Sequence, residues 1–233
     1  MLNEKKSLNY LEERGISENF YPEKGIMPNW VREIIFKNKP KKILDFGCGY
    51  GQVMFGVKNY FPEICVIGYE IDQNSIKFCQ KNGLSLINDF SDLKSNSIDM
   101  VFMFHVLEHI EEDNLNFILC EIKRVLKTGG KILIAVPNAQ SLSGVYWMYE
   151  DHTHKRLYTA NSILRLIRAN NFKYPKLIDK YAITGSVLPV KIIRLIFLKT
   201  FEFFLKIIFK VSANSFHVGE NVFTYEIKVM GTK

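Results

Sequence analysis

Residues 43–51 read ILDFGCGYG, and this stretch decides the fold. It continues the apolar run KKILDF (41–46), which has the composition of a strand buried on both faces. Directly after Asp45-Phe46 come three glycines at alternate positions, Gly47, Gly49 and Gly51, and from Gln52 to Tyr60 the apolar residues recur at helical spacing. Glycines are needed where backbone turns sharply and must approach a ligand closely. A strand before the loop and a helix after it form the context in which a glycine triplet carries weight.

Working outward, strands and helices alternate. ICVIGYE (64–70) reads as a second strand. Asp72 has the position of an N-cap for a helix through Lys81, stopped by Asn82-Gly83. LSLIND (84–89) is a third, shorter strand and SIDMVFMF (97–104) a fourth. Asp113–Leu126 is amphipathic, with Thr-Gly-Gly at 128–130 as its stop, and KILIAVP (131–137) is a fifth strand closed by proline. Residues 138–158 read as irregular, Thr159 caps a helix through Ala169, and Lys176–Ile183 and Val222–Met230 alternate as the last two strands. Strands alternating with helices of this length predict a parallel sheet covered on both faces, an α/β Rossmann-like fold.

The loop selects a ligand. A dinucleotide fingerprint is spaced G-x-G-x-x-G and places a pyrophosphate at the helix N-terminus. Here the spacing is G-x-G-x-G, and Asp45 stands two residues before the first glycine. A carboxylate there repels pyrophosphate but suits a ligand with a cationic head, such as S-adenosylmethionine with its sulfonium and ammonium. Glu70, nineteen residues after Gly51 at the tip of the second strand, has the position of a ribose-hydroxyl acceptor.

DFGCGYG resembles motif I of the class I S-adenosylmethionine-dependent methyltransferases, with GYG in place of the commoner GTG. The order of elements from about 40 to 137 is similar to that family's. The resemblance implies a seven-stranded mixed sheet whose last strand is antiparallel. It implies that Asp45, Gly47, Gly49, Gly51, Glu70, Asp89, Phe90 and His105 bind the cofactor, Asp89-Phe90 at the adenine. On this reading residues 1–233 form one domain: an N-terminal cap (1–28), the cofactor-binding core (29–137), an acceptor-side loop, helix and strand (138–186), a helical insert (187–213) and the terminal strand region (214–233).

FHVLEHI (104–110) spells H-x-x-E-H, a zinc signature of one class of metallopeptidase. That site needs both histidines on one helical face. Here His105 ends a strand, so no metal is expected; His105 is read as lining the cofactor pocket, and Glu108 and His109 as bracing the turn. The segment VYWMYEDHTHKRLYT (145–159) packs aromatics, acids and His152-x-His154 into one loop. It resembles the D-x-T-H-x-R-x-(F/Y)-T segment of ubiquinone-biosynthesis-type O-methyltransferases and of methyltransferases in glycan assembly. The resemblance makes His154 the candidate general base, with His152 second, and a small molecule, sugar or lipid-linked intermediate the expected acceptor.

VLPVKIIRLIFLKTFEFFLKIIFKVSA (187–213) is too often interrupted by charge to span a membrane. At helical spacing its basic residues gather on one side, opposite Ile193, Phe197, Phe201, Phe204 and Ile208. Three readings stay open: a lid, an in-plane membrane helix that brings a lipid-linked acceptor to the site, and a homodimer interface. The net charge of +7 permits an anionic partner without naming one. The segment after strand four lacks the N-P-P-aromatic pattern of adenine-N6 enzymes, so nucleic acid is the lesser alternative, and a cofactor-binding adaptor without turnover is a rival of another class. A charged N-terminus without an apolar run, and four scattered cysteines (Cys48, Cys65, Cys79, Cys120), point to a reducing, cytoplasmic setting, with peripheral contact to the inner membrane face if the insert is a membrane helix.

Overall fold

The structure is a computed structural model that describes residues 27–213 and 220–233, with Gly15 and Gly25. The sequence expectations for 1–28 and for 214–219 therefore lie largely outside the described residues. Strands β1 (Lys42–Phe46), β2 (Cys65–Tyr69), β3 (Leu86–Ile87), β4 (Ile98–Phe104), β5 (Leu126–Pro137), β6 (Lys173–Leu177) and β7 (Glu226–Thr232) form one sheet in the order β3-β2-β1-β4-β5-β7-β6. The first five strands are parallel; β7 runs antiparallel to both β5 and β6. This is the seven-stranded mixed sheet that the motif implied.

The strand order reverses beside β1, so the carboxyl ends of β1 and β4 open a crevice, where open α/β sheets bind ligands. Successive side chains on the central strands alternate between two cores. Leu44, Val101, Met103 and Ile134 face helices α4 (Glu112–Val125) and α6 (Ala160–Ala169) through Leu119, Ile122, Ile163 and Ile167. Ile43, Met100, Phe102 and Leu133 face α1 (Asn29–Asn38), α2 (Gln52–Tyr60) and α3 (Gln73–Lys81). Burial on both faces explains why these strands read as unbroken apolar runs. Phe102 and Leu119 are fully buried, and each contributes about 1.5–3 kcal/mol by leaving water.

Local signals set the ends. The Asp72 carboxylate accepts from the Ser75 amide and caps α3, and Thr159 caps α6 through a reciprocal box with Ser162. Some boundaries differ from the sequence expectation. α4 ends at Val125, and β5 begins at once at Leu126, paired with Ile98; the Thr-Gly-Gly is a bulge inside the strand, before Lys131 pairs with Met100. β6 occupies Lys173–Leu177, because Asp179 Oδ1 takes the Ile183 and Thr184 amides and folds 179–184 into a turn. β7 starts late, because the Val222 and Thr224 carbonyls are taken by the Asn138 side-chain amide, both at 2.7 Å. The segment expected to be irregular contains the short helix α5 (Gly144–Glu150). The insert is one helix, α7 (Leu188–Ala213), of 26 residues.

Candidate functional site

The glycine loop joins β1 to α2. Gly47, Gly49 and Gly51 all have positive φ (77°, 50° and 74°), which side chains rarely adopt. Space is a second constraint: a Cβ on Gly47 would lie 2.4 Å from Val106 Cγ2, and one on Gly51 2.3 Å from Leu84 Cδ1. The loop is pinned to β2, because the Gly47 and Cys48 amides donate to the Tyr69 carbonyl at 2.8 and 3.1 Å.

Two carboxylates face this loop. Asp45 is 3% exposed, and burial, aided by the charge of Glu70, raises its pKa to about 7. Glu70 Oε2 accepts from the Gly49 amide at 2.7 Å; Oε1 accepts from the Ile71 and Asp72 amides. Its pKa is also raised, by desolvation, although those three bonds oppose the shift. A buried acid beside a second acid fits a cationic ligand and opposes a pyrophosphate.

Asp89 and Phe90 follow β3 at the same edge. The Asp89 carboxylate accepts from the Ser91 amide at 2.8 Å and caps the turn Phe90–Asp92; this bond lowers its pKa. The Phe90 ring is buried and stacks on Phe46 and Tyr69, with centroids 5.4 and 5.8 Å away. Sequence reasoning placed the pair at the adenine; in this conformation the ring packs in the core and the carboxylate faces outward.

His105 immediately follows β4, with φ 56°, a strained backbone for a residue other than glycine. Its Nε2 lies 2.9 Å from Glu226 Oε1 on β7, and its Nδ1 lies 3.5 Å from Glu108 Oε1. Desolvation lowers its pKa, but the bonds and charges of Glu108 and Glu226 outweigh this and raise it. The ring is 46% exposed and stands at the ligand edge, tied across the sheet to β7. No local pattern points to Glu226, because it lies 121 residues from His105.

The H-x-x-E-H stretch does not form one helical face. Leu107–His109 is a single 3-10 turn, and His105 points to Glu226. A different set assembles: Glu108, His109 and His154 each place one ligand atom within 4.8 Å of the others. Their hydrogen bonds fix the tautomers. The Trp147 carbonyl can only accept, so His154 Nδ1, 2.6 Å away, carries the proton. Thr153 donates its hydroxyl proton to Asp151 at 2.6 Å and therefore accepts from His109 Nδ1 at 2.8 Å. In the neutral rings, Nε2 is then the unprotonated nitrogen of both histidines. Glu108 is fully buried; its Oε1 lies 3.5 Å from His105 Nδ1, and its Oε2 has no hydrogen-bond partner among the described residues. Such a donor set can hold a divalent cation, which the sequence reading did not foresee because His154 comes from a loop 45 residues away. His152 is exposed and outside this set.

An apolar cleft of about 190 Å³ adjoins this edge, lined by Leu142, Phe197, Phe201, Phe223 and Tyr225. It lies between α7 and the turn after β5, and Tyr225 immediately precedes Glu226.

Sheet order, glycine loop and paired acids together form a crevice whose chemistry suits an adenosyl ligand with a cationic group. Residues 44–134 match the methyltransferase domain family. The chain is 23% identical over 189 residues to O-methyltransferase 3 of Dictyostelium discoideum, covering 68% of this chain and 43% of that protein. It is 20% identical over 176 residues to the human tRNA N(3)-cytidine methyltransferase METTL6, covering 65% and 61%. The fold superposes on a SAM-dependent methyltransferase from Archaeoglobus fulgidus with TM-score 0.66 and 19% identity, over 96% of this chain and 98% of that one. Over residues 44–134 the chain thus matches a methyltransferase domain, on the fold of the class I S-adenosylmethionine-dependent methyltransferases. It spans about half the length of the curated relatives it matches.

Proposed function

We propose that the protein transfers the methyl group of S-adenosylmethionine to a hydroxyl of a small-molecule, sugar or lipid-linked acceptor. The observation that carries this reading is His154: nearly buried, held through Nδ1 by the Trp147 carbonyl, and presenting Nε2 as the basic nitrogen in the loop that follows β5. When bound, S-adenosylmethionine supplies an electrophilic methyl on a positively charged sulfur. Asp45 and Glu70 then act on its cationic part and ribose, and the backbone of Gly47, Gly49 and Gly51 lets the ligand approach. Asp89 and His105 border it along the strand ends, and the buried Phe90 ring, stacked on Phe46, backs that border. His154 Nε2 takes the proton of the acceptor hydroxyl as that oxygen attacks, and the lost proton makes the oxygen a competent nucleophile. Positioning supplies much of the remaining rate, because the displacement is in line.

A second reading of the same cluster is favoured by the buried Oε2 of Glu108, which has no hydrogen-bond partner among the described residues. Glu108, His109 and His154 would hold a divalent cation whose open positions orient the acceptor hydroxyl and lower its pKa. The net charge of +7 and the tRNA-modifying relative support nucleic acid as the alternative acceptor class. The experiment is label transfer from methyl-labelled S-adenosylmethionine into fractionated lysate of the source cell. Label in the organic or aqueous small-molecule or polysaccharide fraction is the expected result. Label confined to RNA or protein would overturn the acceptor class.

A further inference from the structure

α7 docks on the domain along one narrow stripe. Leu195, Leu198, Glu202 and Leu205 follow one another at three- and four-residue steps and are at least half covered. Glu202 fixes the docking: it accepts from the Tyr181 hydroxyl at 3.1 Å and pairs with Lys180 and Lys206. The opposite side of the helix faces away from the domain and is apolar. Ile193, Ile196, Phe203, Phe204, Ile207 and Val211 lie there, with Phe204 58% and Val211 79% exposed. A contiguous apolar face of this kind is rare on a protein surrounded by water.

Charge says what covers it. Lys199 and Lys210 run along one border of the face, eleven residues apart, and Arg194 stands on the other. The acid on the described helix, Glu202, is turned inward. An apolar strip bordered by lysines complements an anionic bilayer: the side chains enter the acyl boundary and the ammonium groups meet the headgroups. A second copy would fit worse, because two such helices packed face to face bring their lysine borders together. The helix is not a span; among the described residues no helix is long and apolar enough to cross a membrane.

We infer that α7 is an in-plane membrane anchor that seats the domain on anionic lipid. The apolar cleft walled by Phe197 and Phe201 then lies beside the lipid surface, positioned to take the chain of a lipid-linked acceptor. This deepens the acceptor assignment above. Vesicle binding needs no turnover, so the anchor and the transferase reading stand or fall separately.

The test is co-sedimentation of the full chain with vesicles of phosphatidylglycerol and phosphatidylcholine, and of phosphatidylcholine alone. Binding to the anionic vesicles is expected, falling at least about tenfold in high salt or with the double variant Lys199→Glu, Lys210→Glu. Phe204→Glu with Ile207→Glu is expected to abolish binding while cofactor affinity and Tm stay unchanged, because both side chains face away from the fold. Failure of the intact protein to bind anionic vesicles would overturn the inference. So would a stable dimer that the same double variant dissociates, or binding that survives both variants.

Discussion

Replacing Asp45 by asparagine tests the electrostatic logic of the cofactor site. Moving this carboxyl from its ordinary 3.8 to about 7 means that holding it ionised in the folded protein at pH 8 costs about 4 kcal/mol. The sign follows from linkage. Between about pH 4 and 7 the folded state holds a proton that the unfolded chain has released, so stability falls across that window and is constant above it. Asparagine has the same shape and no charge, so Asp45→Asn is expected to stabilise the ligand-free protein at pH 8. Even half of the 4 kcal/mol is about 4–8 °C in Tm for a domain of this size. At pH 4 the two proteins are expected to melt together. Ligand binding runs the other way. A cationic ligand favours the ionised carboxylate, so wild-type affinity for S-adenosylmethionine is expected to rise about tenfold per pH unit up to pH 7 and then level off. The variant is expected to bind weakly with no such slope. Differential scanning fluorimetry and calorimetric titration from pH 4 to 8.5 read both effects. A variant destabilised equally at every pH, or one that keeps the wild-type pH slope of binding, would refute the reasoning.

Gly47→Ala is expected to destabilise by about 1–3 kcal/mol in urea unfolding and to abolish measurable cofactor binding, because its Cβ meets Val106 at a positive φ. His154→Ala is expected to lower turnover of the labelled acceptor by about 10²–10⁴-fold while equilibrium binding of S-adenosylhomocysteine is kept. If Glu108, His109 and His154 hold a cation, adding manganese or zinc raises the Tm of the apo protein and Glu108→Gln removes that rise; a Tm that no divalent ion moves removes the metal reading. Leu119→Ala in α4 is expected to cost about 2–5 kcal/mol in denaturant unfolding without changing cofactor affinity, because it opens a cavity in the core remote from the glycine loop.

Much was legible in residue order because it depends on local physics. A doubly buried strand is an unbroken apolar run whatever its neighbours, so ILDF and DMVFMF announce themselves. Three positive-φ turns need three glycines, and Asp72 and Thr159 cap helices through bonds spanning three residues. The loop and its two acids were therefore readable, and with them the adenosyl ligand. The late edge of the sheet was not, because the end of β6 is set by Asp179 and the start of β7 by Asn138, which competes for carbonyls 84 and 86 residues away. α5 escaped because Val145–Tyr149 is an unbroken apolar run in a short helix, with no helical period to read.

The sequence by itself determined the architecture, the glycine loop, the acids beside it and the amphipathic length of α7. Only the tertiary structure decided which side chains meet. His105 pairs with Glu226 across the sheet instead of joining His109, and His154 crosses from another loop to complete a set with Glu108. It also decided which stripe of α7 is spent on docking and which apolar side remains outward. Such contacts arise where the sheet order brings β4, β5 and β7 side by side, and no periodicity in a single chain encodes the distance between segments that far apart.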